Sequence, residues 1–297
     1  MLNKKNIKLG IAPIGWTNDD MPELGSSNSF EQCLSEIALA GFKGTEIGSK
    51  FPVKINELRR YLRVRKLSIA NAWFSAYTIT KPFNEVDEEF RKKCKFLKAM
   101  GAKRIGVSEQ SYSIQGKDLS IFNDKYTAED SEWAMLTKSL NWMGEIAQEF
   151  GISLTYHHHM GTVVQTESEI DRLMSDTDPQ LVSLLFDTGH LSYCGIDPLT
   201  VLQKYIKRIN HVHLKDIRPD VITKIKEENL SFLTGVKLGS FTVPGDGAID
   251  FTPIFQALAD ADYIGWLIVE AEQDPALANP LEYAITARKY IKEIAKI

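Results

Sequence analysis

The chain has 297 residues, long for an ordinary domain and normal for an α/β barrel. A hydrophobic fraction of 43% and a charged fraction of 25% are globular values and exclude a disordered or fibrous chain. The net charge of -4 disfavours a polyanionic partner, so nucleic acid is not expected.

The first residues, MLNKKNIKLGIAP, are basic but lack the apolar core of a signal peptide. No apolar run approaches the roughly 18 residues of a membrane span, so no membrane partner is expected. Three cysteines, Cys33, Cys94 and Cys194, are odd in number and too widely spaced for a zinc knuckle. They read as free thiols and point to a reducing, cytoplasmic setting.

Short apolar runs rich in Ile, Val and Leu recur along the chain, as buried parallel strands require. They fall at 7–14, 43–48, 67–73, 103–108, 152–158, 181–187, 209–215 and 264–270. Helical periodicity fills the gaps. Phe30, Cys33, Leu34 and Ile37 share one face over 28–40, and Val86, Phe90, Cys94 and Leu97 share another over 85–100. Asn28 with Glu31 and Thr166 with Glu169 read as capping boxes, and Asp197-Pro198 and Asn279-Pro280 as helix starts. Gly41, Gly101 and Gly151 each stand where a helix gives way to a strand, the place for a left-handed cap. Eight such strand–helix units predict a closed (β/α)8 TIM barrel spanning 1–297 as a single domain. An open doubly wound sheet is the alternative, but no GxGxxG follows the first strand. One connection, 217–249, is long and is expected to act as a lid.

A barrel enzyme works at the carboxyl ends of its strands, so polar residues there are informative. In chain order these ends carry Trp16 and Asp19-Asp20, Glu46, Asn71 and Trp73, Glu109-Gln110, and His157-His158-His159. They continue with Asp187 and His190, then His211, His213 and Lys215, and finally Glu270 and Glu272. A lone strand histidine is ordinarily a core residue. Six histidines on three neighbouring strands, flanked by carboxylates, point instead to a metal site of imidazole and carboxylate. Residues two apart on a strand share a face, so His157 pairs with His159, His211 with His213 and Lys215, and Glu270 with Glu272. Which member of each set reaches the metal stays open. Trp16 and Trp73 read either as packing or as walls of a substrate pocket. Asp246 reads as turn chemistry and Asp250 as a helix cap.

Four segments carry a family resemblance: GIAPIGWTNDDMPELG, LAGFKGTEIGSKFP, TYHHHMGT and FDTGHLSYCG. Over essentially its whole length the chain resembles the inosose dehydratases (2-keto-myo-inositol dehydratases). HVHLKD, VPGDGAIDF and the terminal IVE match the wider xylose-isomerase-like barrels. The resemblance implies a hydro-lyase of myo-inositol catabolism acting on a cyclic polyol ketone. It implies a divalent metal, manganese or cobalt, held by Asp187, His213 and Glu270. The fifth-strand ligand is a glutamate in the superfamily and reads His157 here, with His159 as its alternative. Glu46, His190, Lys215 and Glu270 are then the acid–base candidates, and Trp16, Asn71, Trp73 and His159 the substrate contacts. Glutathione is implied by the resemblance alone, and a homo-oligomer stays open. Two other readings compete: a sugar isomerase or epimerase on the same barrel, and a non-catalytic sugar-binding protein.

Overall fold

The computed structural model describes residues 2–297. Its strands are β1 (Ile7–Ile11), β2 (Gly44–Thr45), β3 in two pieces (Ser68–Ile69 and Trp73–Ala76) and β4 (Arg104–Glu109). They continue with β5 (Ser153–His157), β6 (Val182–Asp187), β7 (Ile209–Leu214) and β8 (Gly265–Val269). All adjacent pairs are parallel, running from β2 through β1, β8, β7, β6 and β5 to β4. The ring closes at β3, whose first piece pairs with β2 and whose second pairs with β4. The eight apolar runs therefore each became a barrel strand.

Asn71 bridges the break in β3. Its Oδ1 accepts from the Gly106 amide at 2.6 Å, and its Nδ2 donates to Glu46 at 3.1 Å. A Cβ at Gly106 would stand 2.9 Å from Asn71 Nδ2, so glycine there leaves room for the side chain to lie across the strand gap. One side chain thus stands in for missing ladder bonds and holds a carboxylate at the same time.

Helices cover the outside of the ring, and their caps follow the sequence closely. Thr166 and Glu169 form a capping box, Asp197 and Asn279 cap helices whose first residue is proline, and Asp250 caps Phe251–Asp260. The first helix begins one residue later than expected: Ser29, not Asn28, accepts from Gln32, while Asn28 donates to the Trp16 carbonyl. Val86, Phe90, Cys94 and Leu97 are buried as their spacing predicted, with Phe90 edge-on to Phe74 at 5.1 Å. All three cysteines are free. Among the described residues no helix is long and apolar enough to cross a membrane.

The long connection after β7 is folded. Asp216–Ile217 pairs antiparallel with Phe241–Thr242, and helices Pro219–Glu227 and Phe232–Lys237 lie between. Ile222, Ile225, Phe232, Val236 and Phe241 pack with Met160 and Tyr193 into a second apolar cluster beside the barrel.

Helix Asp130–Glu149 packs closely where Gly144 meets the start of β6. A Cβ there would lie 2.6 Å from the Leu181 carbonyl oxygen. Alanine gains roughly 1 kcal/mol of helix propensity, but overpacking against backbone costs about 1–3 kcal/mol. We expect Gly144→Ala to lower the denaturant midpoint, with a net loss on the order of 1 kcal/mol. A rise in the midpoint would show that the contact is slack.

Candidate metal centre and active site

The register gathers the polar strand ends. His213 pairs beside Asp187, and Ile268 beside His213, so Glu270 projects two residues above on the same face. His157 pairs beside Leu185, one step below Asp187. Four ligand-type atoms meet as a result. Asp187 Oδ2 lies 3.4 Å from both His157 Nε2 and His213 Nδ1, and His213 Nδ1 lies 3.2 Å from Glu270 Oε2. His157, Asp187, His190 and Glu270 also offer ligand atoms within 4.8 Å of one another. Asp187 Oδ2 and His213 Nδ1 are buried without a hydrogen-bond partner. Two buried, partnerless polar atoms facing each other are costly unless something fills the gap between them.

Hydrogen bonds behind this group set its orientation. Glu46 Oε1 accepts from His211 Nε2 at 2.7 Å, His213 Nε2 at 3.1 Å and Asn71 Nδ2 at 3.1 Å. With its proton on Nε2, neutral His213 presents the Nδ1 lone pair toward Asp187 and Glu270, the arrangement by which a carboxylate orients a metal-binding imidazole. Asp187 Oδ1 accepts from the amides of Gly189 and His190 and caps the short helix that follows, which leaves Oδ2 for the centre. His211 and His213 share a face, with the deeper one fixing Glu46 and the outer one reaching the centre.

Lys215 is the counter-charge. Its Nζ lies 2.6 Å from Glu270 Oε1, 2.8 Å from Glu272 Oε1 and 3.0 Å from His190 Nε2, over the Phe241 ring at 4.6 Å. Burial would lower the Lys215 pKa, but Asp187, Glu270 and Glu272 raise it, so the ammonium is retained. Burial would also lower His213, yet Glu270 and Glu46 hold it well above the usual histidine range. The surroundings of Nδ1 therefore favour positive charge. Burial pushes Glu46 up, but His213 and His211 bring it well below the ordinary carboxylate range. Glu272 goes the other way, raised by burial to about 7.

The centre opens into a cavity of about 510 Å³. Glu46, Asn71, Trp73, His157, His159, His213, Glu270 and Glu272 line it, as do Asp19, Asp20, Tyr77, Gln115 and Lys117. Trp73 sets its ring 5.4 Å from His157 and 5.7 Å from His159, its indole N–H donating to Ser75 at 2.7 Å. Gln115 donates to Asp20 at 2.7 Å, linking the loop after β4 to the loop after β1.

Several sequence expectations need correction. Trp16 is not a substrate wall. It is 1% exposed in the main core, its indole N–H donating to Glu36 at 2.6 Å. His190 and Lys215 stand behind the cavity wall and reach it only through Glu270, Glu272 and His159. The segment 217–249 contributes no wall to the cavity, so it is not a lid. It seals the far side of Lys215 and His190 with Phe232 and Phe241. The mouth is lined by Ser113, Gln115, Gly116 and Lys117, from an aperiodic stretch between β4 and Asp130 that the sequence reading passed over. Its one signal was length at the catalytic end of a strand. Glu109 lies outside the centre and accepts from Thr78 and Ser111. Asp246 takes its expected turn role, accepting from Thr242 and Arg218 at 2.6 Å.

A closed ring of eight parallel strands covered by helices is a TIM barrel, and residues 34–294 match the family described as xylose isomerase-like TIM barrel. An IOLI protein solved with a bound zinc atom shares the fold, with a TM-score of 0.70 at 18% identity over 97% of this chain and 98% of that one. Sequence relatives narrow the class. An inosose dehydratase of Clostridium botulinum (strain Alaska E43 / Type E3) is 58% identical over 298 residues, covering 100% of both chains. One of Clostridium beijerinckii is 60% identical over 294 residues, covering 99% of each. The chain belongs to the inosose dehydratase family of these barrels.

The corrected role of 217–249 can be tested by core truncation. Phe232→Ala and Phe241→Ala should each cost about 3–5 kcal/mol, the loss for a buried phenylalanine. Denaturant unfolding measures it. A loss below about 1 kcal/mol for both would mean that the segment is a detachable flap.

Proposed function

We propose that this chain removes water from 2-keto-myo-inositol to give a trihydroxycyclohexane-1,2-dione, as a step of myo-inositol catabolism. The observation that carries the reading is the meeting of Asp187 Oδ2, His213 Nδ1, His157 Nε2 and Glu270 Oε2 at the cavity wall of a chain 58% to 60% identical to inosose dehydratases. Those four residues would hold a divalent metal, and the partnerless Asp187 and His213 atoms fit that role. Family resemblance supplies manganese or cobalt as the ion and glutathione as a companion; the chain's own donors speak only for the ion. When bound, the ion supplies Lewis-acid polarisation of the ketone, which acidifies the neighbouring C–H.

The remaining work falls to side chains on the cavity wall. Glu46 is the base we favour. Its Oε1 is committed to His211, His213 and Asn71, which leaves the other oxygen to take the α-proton. Loss of that proton and of the β-hydroxyl forms a carbon–carbon double bond. The hydroxyl departs as water with a proton from a wall acid, for which Glu272, on the cavity wall, is our candidate. Because the α-carbon carries a hydroxyl, the product is an enol that tautomerises to the dione. Lys215 and His190 act by holding Glu270 and Glu272. Trp73 offers an apolar face to the ring, while Asp19, Asp20, Asn71, His159, Gln115 and Lys117 face its hydroxyls. The free thiols fit a cytoplasmic setting.

Purified protein incubated with the inosose should give a new dione chromophore, and aldoses and ketoses should give no isomer. A stereoisomer in place of the chromophore would establish an epimerase instead. Chelation should abolish turnover, with manganese or cobalt restoring it. Asp187→Asn should lose bound metal and activity while keeping its circular dichroism, and Glu109→Gln should keep wild-type metal content. Full metal and full activity in Asp187→Asn would overturn the ligand set.

A further inference from the structure

Glu270 divides its two oxygens between the centre described above and Lys215. Its Oε2 faces His213 and Asp187, and its Oε1 faces Lys215 Nζ at 2.6 Å. Around Nζ stand Glu272 Oε1 at 2.8 Å and His190 Nε2 at 3.0 Å. An ammonium has three N–H donors, and here each has one acceptor within 3.0 Å. The acceptors are also metal ligands by type. His159, His190 and Glu272 offer ligand atoms within 4.8 Å of one another, enough to hold an ion by themselves. His159 Nδ1 bonds the Met160 carbonyl at 2.9 Å, which leaves its Nε2 lone pair available. Glu272 Oε2 is buried without a partner. His159, Glu270 and Glu272 line the cavity, so an ion could enter.

We infer that the Lys215 ammonium occupies a second cation site, made of Glu270, Glu272, His190 and His159, so that the native chain takes one divalent ion where the same residues without Lys215 would take two. The inference rests on the metal centre proposed above. Three features favour it over a simple buried ion pair. The position is ringed by two carboxylates and two imidazoles, a ligand set richer than one salt bridge needs. Asp187 Oδ2, an oxygen of the first centre, lies 3.7 Å from Nζ, so the ammonium stands directly beside that centre. Glu270 has one oxygen for each position, as a bridging carboxylate does. A fixed ammonium also differs from an ion in use: it neither exchanges nor binds substrate oxygen, so it confines ligand exchange to the other position.

The test is a metal count on intact protein. Metal-free wild type and Lys215→Met are titrated with manganese by calorimetry, and bound metal is counted after gel filtration. Wild type should take one ion per chain and Lys215→Met two, with the paired ions giving a spin-coupled manganese resonance spectrum. Lys215→Met/Glu272→Gln should return to one. One ion in Lys215→Met, or two in wild type, would overturn the inference and leave the metal centre standing. No ion in wild type would instead refute the metal centre itself. If Lys215→Met fails to fold without metal, it is refolded in excess manganese; failure even then shows that no divalent ion can fill the position and likewise overturns the inference.

Discussion

The arrangement at the barrel mouth follows from one constraint: three carboxylates, Asp187, Glu270 and Glu272, lie buried or nearly so around the Lys215 ammonium, and a fourth, Glu46, is buried against His211 and His213. Burying a charge is costly unless it is paired and hydrogen-bonded. Each carboxylate is therefore tied to something specific. Asp187 caps a helix with one oxygen, Glu46 gathers two imidazoles and an amide, and Glu270 and Glu272 divide Lys215 between them. These ties leave a surplus of negative charge at the one point where Asp187 and His213 present unpartnered atoms, which is how a protein prepares a place for a cation.

Much of this was legible because strands impose arithmetic. A period of two places His211, His213 and Lys215 on one face, and the parallel register then sets His213 beside Asp187. The alternation of apolar runs with glycine-ended helices led directly to eight strands. Caps were readable for the same local reason, since a side-chain oxygen and an amide three residues on interact within one turn. The single slip among them, Asn28 for Ser29, arose because either side chain can cap; the Trp16 carbonyl recruits Asn28 and leaves Ser29 the task.

What stayed hidden depends on long-range packing. Trp16 and Trp73 read alike because both stand at the catalytic side of the strands, but Trp16 turns toward a carboxylate on the first helix and Trp73 toward the histidines. No local pattern separates the two. The segment 217–249 reads as a lid from its length and its position on the catalytic side of the barrel. Its apolar residues at Ile222, Ile225, Phe232 and Phe241 were the countersign, since a lid that opens cannot keep such a cluster buried. The stretch 113–117 lines the cavity through Ser113, Gln115, Gly116 and Lys117, while its one apolar residue, Ile114, anchors it in the same cluster.

The histidine at position 157 fits the charge balance better than the glutamate of the wider superfamily would. A glutamate there would add a fifth carboxylate to a site with one ammonium. With histidine, the ammonium and the single divalent ion proposed above would together offset three of the four carboxylates. The fourth is accounted for by Glu272, whose pKa burial raises to about 7 despite Lys215 beside it. In the proposed reaction it is also the candidate proton donor to the departing hydroxyl. On this reading the exchange of Glu for His on the fifth strand, the fixed lysine and the protonatable Glu272 form one set: a site that balances its charge with a single ion and keeps an acid at hand for dehydration.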